Sequence, residues 1–409
     1  MTSPAPPPDG GRVPPGRWQR AGRALALERN VVAVAGAMCL VTSGEELWKR
    51  YLPKYLEALG APVLGVGLYG SMRDALDGLC QYPGGWIADR FGRRGALAAF
   101  VGCALGGYVL LAAAPAWPVA LLGMALAMAW TSMASPTLFA VIGDALPRAQ
   151  RAMGFSVQAI LRRVPIAIAP TLGGLLIAAH GTLQGVRLGL AVSLGVGSLA
   201  LAVVSRLRLT LPPAQGTANV QTVWREQPQP LRRLLASDIL VRTCEGLVDV
   251  FLILYALDVV GITAPQFGLL VAVQTTTSIL CYLPAARLAG RTGRKPLVLL
   301  TFLAFAGFPV AVAASRSFAA LAAAYVVGGL REFGEPMRKA MIVDLARPDL
   351  RARTVGLYYL TRSVAIAPAA FAGGLLWRIS PAVPFLAAGA VGLAGAAVFA
   401  LTVSERDAG

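Results

Sequence analysis

Histidine is nearly absent from this chain, and with it the usual means of building a metal site or a catalytic triad. One histidine, His180, occurs in 409 residues, in a predicted outer loop. The five cysteines (Cys39, Cys80, Cys103, Cys244 and Cys281) fall inside apolar segments. None has metal-ligand spacing, and no disulfide is expected. No nucleophile–base constellation appears, so the reading is non-enzymatic, with no cofactor and no metal. Charge is scarce too. Only 14% of residues are charged and 56% are hydrophobic, too little polar surface to cover a soluble core of this size. No short apolar core with a small-residue cleavage site precedes the first long apolar run, so that run is expected to act as an uncleaved anchor.

What the chain does have is long apolar runs. Segments such as Ala96–Ala114, Leu183–Val204 and Pro381–Val403 are long enough to cross a bilayer, which takes roughly 20 residues. Apolar runs between turn signals give twelve predicted helices. They cover 31–57, 63–87, 95–113, 117–146, 152–179 and 183–205, then 236–259, 264–289, 295–314, 317–346, 351–377 and 382–403. Residues 1–30 are rich in Pro and Gly and read as a disordered tail. Residues 206–235 are polar, rich in Pro and Gln, and read as a linker. Residues 404–409 form a short tail. The expected organisation is all-α, with six-helix bundles at 31–205 and 236–403.

The formal net charge of +17 raises a nucleic-acid reading, but the placement of the charges argues against it. Basic residues collect in alternate loops, at Arg90, Arg93 and Arg94, at Arg148 and Arg151, and at Arg206, Arg208, Arg225, Arg232 and Arg233. The pattern continues at Arg291, Arg294 and Lys295 and at Arg347, Arg351 and Arg353. This is a positive-inside pattern, which places those loops and both termini in the cytoplasm. No separate basic domain is present to hold nucleic acid.

The two halves repeat each other. A shift of about 200 residues carries Glu45 onto Glu245, Pro136 onto Pro336 and Asp144 onto Asp344. It also carries Arg151 onto Arg351, Arg162 onto Arg362, and Gly173-Gly174 onto Gly373-Gly374. One further residue places Pro83 on Pro284 and Gly92-Arg93-Arg94 on Gly293-Arg294-Lys295. Repeated bundles of this kind place a binding site at their interface, near mid-membrane.

The segment from Gly84 to Arg94, GGWIADRFGRR, resembles the loop between helices 2 and 3 of the major facilitator superfamily. Gly85, Asp89, Arg90, Gly92, Arg93 and Arg94 match that pattern in place. The second half carries a weaker copy, ARLAGRTGRK, in which Gly290 stands at the aspartate position. Gly92 permits a tight turn, and Asp89 can accept charge-assisted hydrogen bonds. The resemblance implies that this cluster latches the two halves in one state of an alternating-access cycle. A second segment, Ala169-Pro170-Thr171-Leu172-Gly173-Gly174, is similar to the family's antiporter motif, with alanine at its first position. The small residues also suit close helix packing. The antiporters' helix 4 arginine is missing here: that region holds Trp130, Thr131, Ser132 and Ser135.

Charges inside a membrane are costly, so those that persist face a cavity, pair up or carry function. Helical spacing pairs Glu45 with Lys49, Glu46 with Arg50, Arg73 with Asp77, Arg242 with Glu245, and Arg331 with Glu335. Arg162 and Arg362 have no acid within four residues on their own helix. Arg162 lies eleven residues past Arg151, about 16 Å into the membrane. The repeat suggests two equivalent pairs, Glu45 with Arg162 and Glu245 with Arg362. Glu45, Glu46, Asp77, Glu245, Asp249 and Glu335 are the candidates for carrying a proton.

The family resemblance implies a monomeric secondary transporter in a bacterial inner membrane. It would move a small polar or amphipathic solute by alternating access, coupled to protons, with efflux ahead of uptake. Its central site would be lined by Glu45, Glu46, Trp130, Ser132, Glu245, Asp249, Arg331 and Glu335. Two rival readings stand beside it. One is a symporter or exchanger for an organic anion held by Arg162, Arg362 or Arg331. The other is a non-transporting sensor or assembly protein on the same fold.

Overall fold

A backbone surrounded by hydrocarbon has no water to bond, so an apolar run must pair its N–H and C=O groups internally, as a helix does. The computed structural model describes residues 29–128, 132–133, 148–206, 227–345 and 351–404. Within that range it leaves out the side chains of 29–35, 81–86, 88, 89, 91, 93, 148–162, 283, 286, 289, 290, 343 and 351–353. All regular structure among the described residues is helical.

In the first half, α1 spans Arg29–Trp48 and continues through a 3-10 turn, Lys49–Tyr51, into Leu52–Ala58. Then come α2 (Val63–Phe91), α3 (Arg93–Ala113) and α4 (Trp117–Met128). The stretch Arg148–Ser205 is divided at Gly181, whose φ is 79°, into α5 (148–180) and α6 (182–205). In the second half, α7 is Gln229–Val248, followed by the 3-10 turn Asp249–Phe251, Leu252–Leu254 and a π turn at Tyr255–Val259. Then follow α8 (Ala264–Thr292) and α9 (Lys295–Ala314). The remainder are α10 (Phe318–Leu330 and Glu335–Leu345), α11 (Arg351–Ile366 and Ala369–Trp377) and α12 (Val383–Thr402).

Five described stretches are long and apolar enough to cross a membrane: Arg94–Ala113, Arg163–Ser205, Lys295–Ala314, Thr354–Trp377 and Val383–Thr402. Leu122, Leu199, Leu280 and Leu393 are each more than half exposed. That is an apolar outer surface of the kind lipid would cover. The expected fourth helix, 117–146, is described only in its first part, and Trp130, Pro136 and Asp144 lie outside the described residues. So do most of the first tail, residues 207–226 of the linker and 405–409.

The repeat survives in three dimensions. The 3-10 turns of α1 and α7 begin at Lys49 and Asp249, 200 residues apart, with nearly equal backbone angles before them: −122°, −28° at Trp48 and −123°, −20° at Val248. Tyr55 donates to the carbonyl of Leu111 (2.7 Å) and Tyr255 to that of Ala313 (2.8 Å). Gly173 on α5 faces the carbonyl of Leu47 on α1, and Gly373 on α11 faces that of Leu247 on α7, each too closely for any side chain.

Beyond small shifts of helix ends, three differences from the sequence expectation stand out. Helix α7 starts at Gln229, not 236, because a proline in the first helical turn needs no amide partner there. Helix α10 is interrupted at Arg331–Gly334, where the freed Gly334 amide donates to Thr301 Oγ1 (2.6 Å). Helix α11 is interrupted before Ala369, at Pro368.

Candidate functional site

The paired 3-10 turns build the site. Each overwinds its helix for one turn, so that Lys49 and Arg50 on α1 and Asp249 on α7 all line one cavity between the halves. The cavity, whose ≈ 600 Å³ of empty space includes space open to solvent, is completed by Tyr69 and Arg73 of α2, Gln274 of α8, and Tyr325 and Arg331 of α10. An adjoining recess, with ≈ 290 Å³ of empty space that includes space open to solvent, shares Lys49, Tyr69 and Arg73. It adds Glu45, Trp48 and Leu52, with Met124, Ala127 and Met128 of α4.

The two halves are tied together across this cavity. Arg73 of α2 reaches Asp249 of α7 at 2.8 Å and its neighbour Asp74 at 3.1 Å. The expected Arg73–Asp77 pair is therefore replaced, and Asp77 instead accepts from Ser132 at 2.9 Å. A helical i,i+4 spacing allows that pair, but the guanidinium finds a carboxylate on the facing helix. Lys54 joins Asp258 at 2.6 Å. The Tyr51 hydroxyl sits 2.6 Å from the carbonyl of Pro170 and 2.9 Å from that of Ala264. Arg163 of α5 reaches Glu332 at 3.0 Å and also bonds Tyr282 of α8. Lys54–Asp258 is the most exposed of these links, and Asp258→Asn is expected to change the unfolding free energy by no more than about 1 kcal/mol. Thermal unfolding of the purified variant checks this.

The second half holds a buried ionic network. Arg338, 1% exposed, bonds Asp238 at 2.6 Å and Glu335 at 2.5 and 2.9 Å. Arg242 bridges Glu335 (3.0 Å) and Glu245 (2.9 Å), and Arg331 caps the chain on Glu245 (3.2 Å). Arg242–Glu245 thus forms as the spacing suggests, and so does Glu46–Arg50 at 3.3 Å. Three other expected pairs do not form. Lys49 makes no ion pair among the described residues, with Glu45 or any other acid. Arg331 turns to Glu245 and not to Glu335, because the α10 interruption falls between them. Arg362 takes Asp238 (3.3 Å), to which Tyr358 also donates (3.0 Å), and not Glu245. Glu245 is already held by two arginines, and Asp238 is the acid that α7 presents to α11.

In the first half, Glu45 is buried and accepts from Tyr108 at 2.8 Å. The expected Glu45–Arg162 pair lies outside the described residues, since the Arg162 side chain is not among them. The same holds for the Asp89 and Arg93 side chains and for the surroundings of Gly85. Arg90 and Arg94 are exposed. Gly92 and Gly293 take φ of 83° and 81°, in the left-handed region where glycine is at ease. In the weaker copy, Arg294 pairs with Asp344 at 2.5 Å, and Lys295 donates to the Ala400 carbonyl at 2.8 Å.

Sequence reasoning missed Asp238, Arg338, Asp74, Arg163, Glu332 and Tyr282 as site residues. Arg338 had a legible signal, three residues after Glu335, as did Asp238, four before Arg242. The cross-helix partners of Arg163 had none.

The sequence profile described as Major Facilitator Superfamily matches residues 35–244 and 234–409. An uncharacterized MFS-type transporter of Methanocaldococcus jannaschii is 22% identical over 381 residues, 88% of this chain and 91% of that one. The class C tetracycline resistance protein of Escherichia coli is 31% identical over 125 residues, 31% of this chain and 32% of that one. Among solved structures, nucleoside transporter NupG superposes with a TM-score of 0.76 at 12% identity, over 92% of this chain and 99% of that chain. Peptide transporter POT, in complex with sulfate, superposes at 0.73 with 17% identity, over 93% and 95%. At these identities the solved structures are similar in fold alone.

Proposed function

The chain belongs to the major facilitator superfamily, as an MFS-type transporter of the membrane, and from that premise we propose a twelve-span, proton-coupled carrier that moves a small solute through the central cavity by alternating access. The observation that carries this reading is the Arg73–Asp249 ion pair, 2.8 Å long. It joins one half to the other at the wall of the cavity. A link placed there must break when the halves rock apart, so solute and conformational change act on the same groups. Outward movement is the direction we favour, from the antiporter-like segment at Pro170–Gly174. Gly174 there packs against the start of α8 in the other half, where an added Cβ would lie 2.5 Å from the Ala264 carbonyl.

Glu45 is the acid we assign to coupling. It is buried, bonded by Tyr108, and lines the recess beside Lys49. Proteoliposomes loaded with a pH-reporting dye test the assignment, with solutes added one at a time. A transported solute should move protons in the wild type, and Glu45→Gln should remove the proton signal while solute exchange persists. Proton movement undiminished in Glu45→Gln would reject the role of Glu45. Solute flux with no proton signal in the wild type would reject coupling itself.

The inter-half link has its own test. Arg73→Asp should lower solute flux at least about tenfold, about 1.4 kcal/mol, because two like charges then face each other. Adding Asp249→Arg should recover most of it. A double variant no better than the single one would count against the link.

A further inference from the structure

We infer that the central cavity takes a small organic anion, its charged group on Lys49 and Tyr325 and its apolar part in the recess against α4. This names the solute class for the transport reading above and rests on that reading only for the word solute.

Three independent features support it. The first is charge. Among the described residues, Lys49, Arg50, Arg73 and Arg331 line the cavity against a single acid, Asp249, which is held by Arg73 at 2.8 Å. The arginines each have a carboxylate behind them: Glu46 for Arg50, Asp74 for Arg73 and Glu245 for Arg331. Lys49 makes no ion pair among the described residues. A half-buried ammonium facing a cavity attracts an anion, and its neighbours repel a cation.

The second feature is an orphaned donor. Tyr325 is 2% exposed, and its hydroxyl has no hydrogen-bond partner among the described residues, although it lines the cavity. Phe267 and Phe308 hold its ring edge-on, each at 82°. A buried phenol in a native structure calls for an explanation of its missing acceptor. A sulfonate, phosphate or carboxylate oxygen would supply it.

The third is the recess. It is walled by Trp48, Leu52, Met124, Ala127 and Met128, an apolar lining whose methionines adapt to varied shapes. Glu45 also lines it, on the Tyr108 side. Lys49 belongs to both spaces, so an anionic head at Lys49 leaves an attached apolar group pointing at the recess.

The probes are naphthalene-2-sulfonate, naphthalene-2-sulfonamide and 2-naphthylmethylammonium, alike in size and different in charge. The purified full chain is titrated with each while its thermal unfolding midpoint is followed. The sulfonate should raise the midpoint and the ammonium should not. Lys49→Gln should weaken sulfonate binding at least tenfold, about 1.4 kcal/mol, and Lys49→Arg should restore most of it. Tyr325→Phe should weaken binding several-fold without lowering the ligand-free midpoint, because its hydroxyl holds no partner among the described residues. Equal or greater stabilisation by the ammonium overturns the inference. So does no stabilisation by the sulfonate, or sulfonate affinity unchanged in Lys49→Gln. Counterflow in proteoliposomes separates the two readings. Sulfonate binding without flux keeps the anion site and overturns transport. Flux of the ammonium but not the sulfonate keeps transport and overturns the anion site.

Discussion

Replacing Gly373 with leucine is expected to leave no folded protein, and replacing Gly173 to do the same. At both positions an added Cβ meets a backbone carbonyl of the neighbouring helix, Leu247 for Gly373 and Leu47 for Gly173. A clash with a side chain can be relieved by a rotamer change. A clash with helix backbone moves the whole helix. Here the moving helices would be α7 and α1, which carry Asp249, Lys49 and Arg50 into the cavity. Overpacking a tight site costs typically about 1–3 kcal/mol and sometimes more. Alanine should fall near that range, its helix-propensity gain of about 1 kcal/mol offset by the clash. Leucine adds three further carbons and should exceed the native margin of roughly 5–15 kcal/mol once two helices are forced apart. Gly95 and Gly356 serve as controls, since nothing lies within 4 Å of an added Cβ there, and alanine should be harmless at both. Size-exclusion chromatography of the solubilised variants reads the result. A monodisperse Gly373→Leu protein with the wild-type unfolding midpoint would refute the close crossing.

Removing the Arg338 guanidinium should be nearly as damaging. Arg338→Met keeps much of the side-chain volume and deletes the charge between Asp238 and Glu335. Breaking a buried ion pair from one side costs about 3–5 kcal/mol, mostly from the carboxylate left behind. The lower end, about 3 kcal/mol, applies here. Asp238 keeps Tyr358 and Arg362, and Glu335 keeps Arg242 at 3.0 Å. The triple change Asp238→Asn, Glu335→Gln and Arg338→Met should recover part of that loss, because no buried carboxylate then lacks its cation at this centre. Unfolding of the purified variants in one detergent compares them. If the single change is as stable as the wild type, the network contributes nothing to stability.

The same residues show how far a sequence reading reaches into a site. Glu45, Asp249 and Arg331 were legible because a charge inside an apolar run needs a reason. Their partners were less so. Local spacing foretold Glu46–Arg50 and Arg242–Glu245, which lie on one helix face. It failed for Arg73, whose nearest carboxylates are its neighbour Asp74 and, across the molecule, Asp249. It failed for Arg331, because an interruption of α10 at 331–334 breaks the i,i+4 geometry. The repeat argument gave Glu245 to Arg362, yet Glu245 is held by Arg242 and Arg331. Lys49 and Asp249 occupy equivalent places with opposite charge, so the cavity wall is not symmetric.

The sequence by itself determined the all-helical class, the two related halves and the glycines at their crossings. Those follow from local rules: apolar length, turn residues and a shift of about 200 residues. The tertiary structure alone decided which charges meet, where the halves are tied, and that the described residues of the cavity wall carry four cations against one acid. Ion pairing and cavity lining depend on the rotation of each helix about its own axis and on the one-turn 3-10 segments at Lys49 and Asp249. A small change of twist redirects a side chain by a large angle, and no pattern along the chain records it.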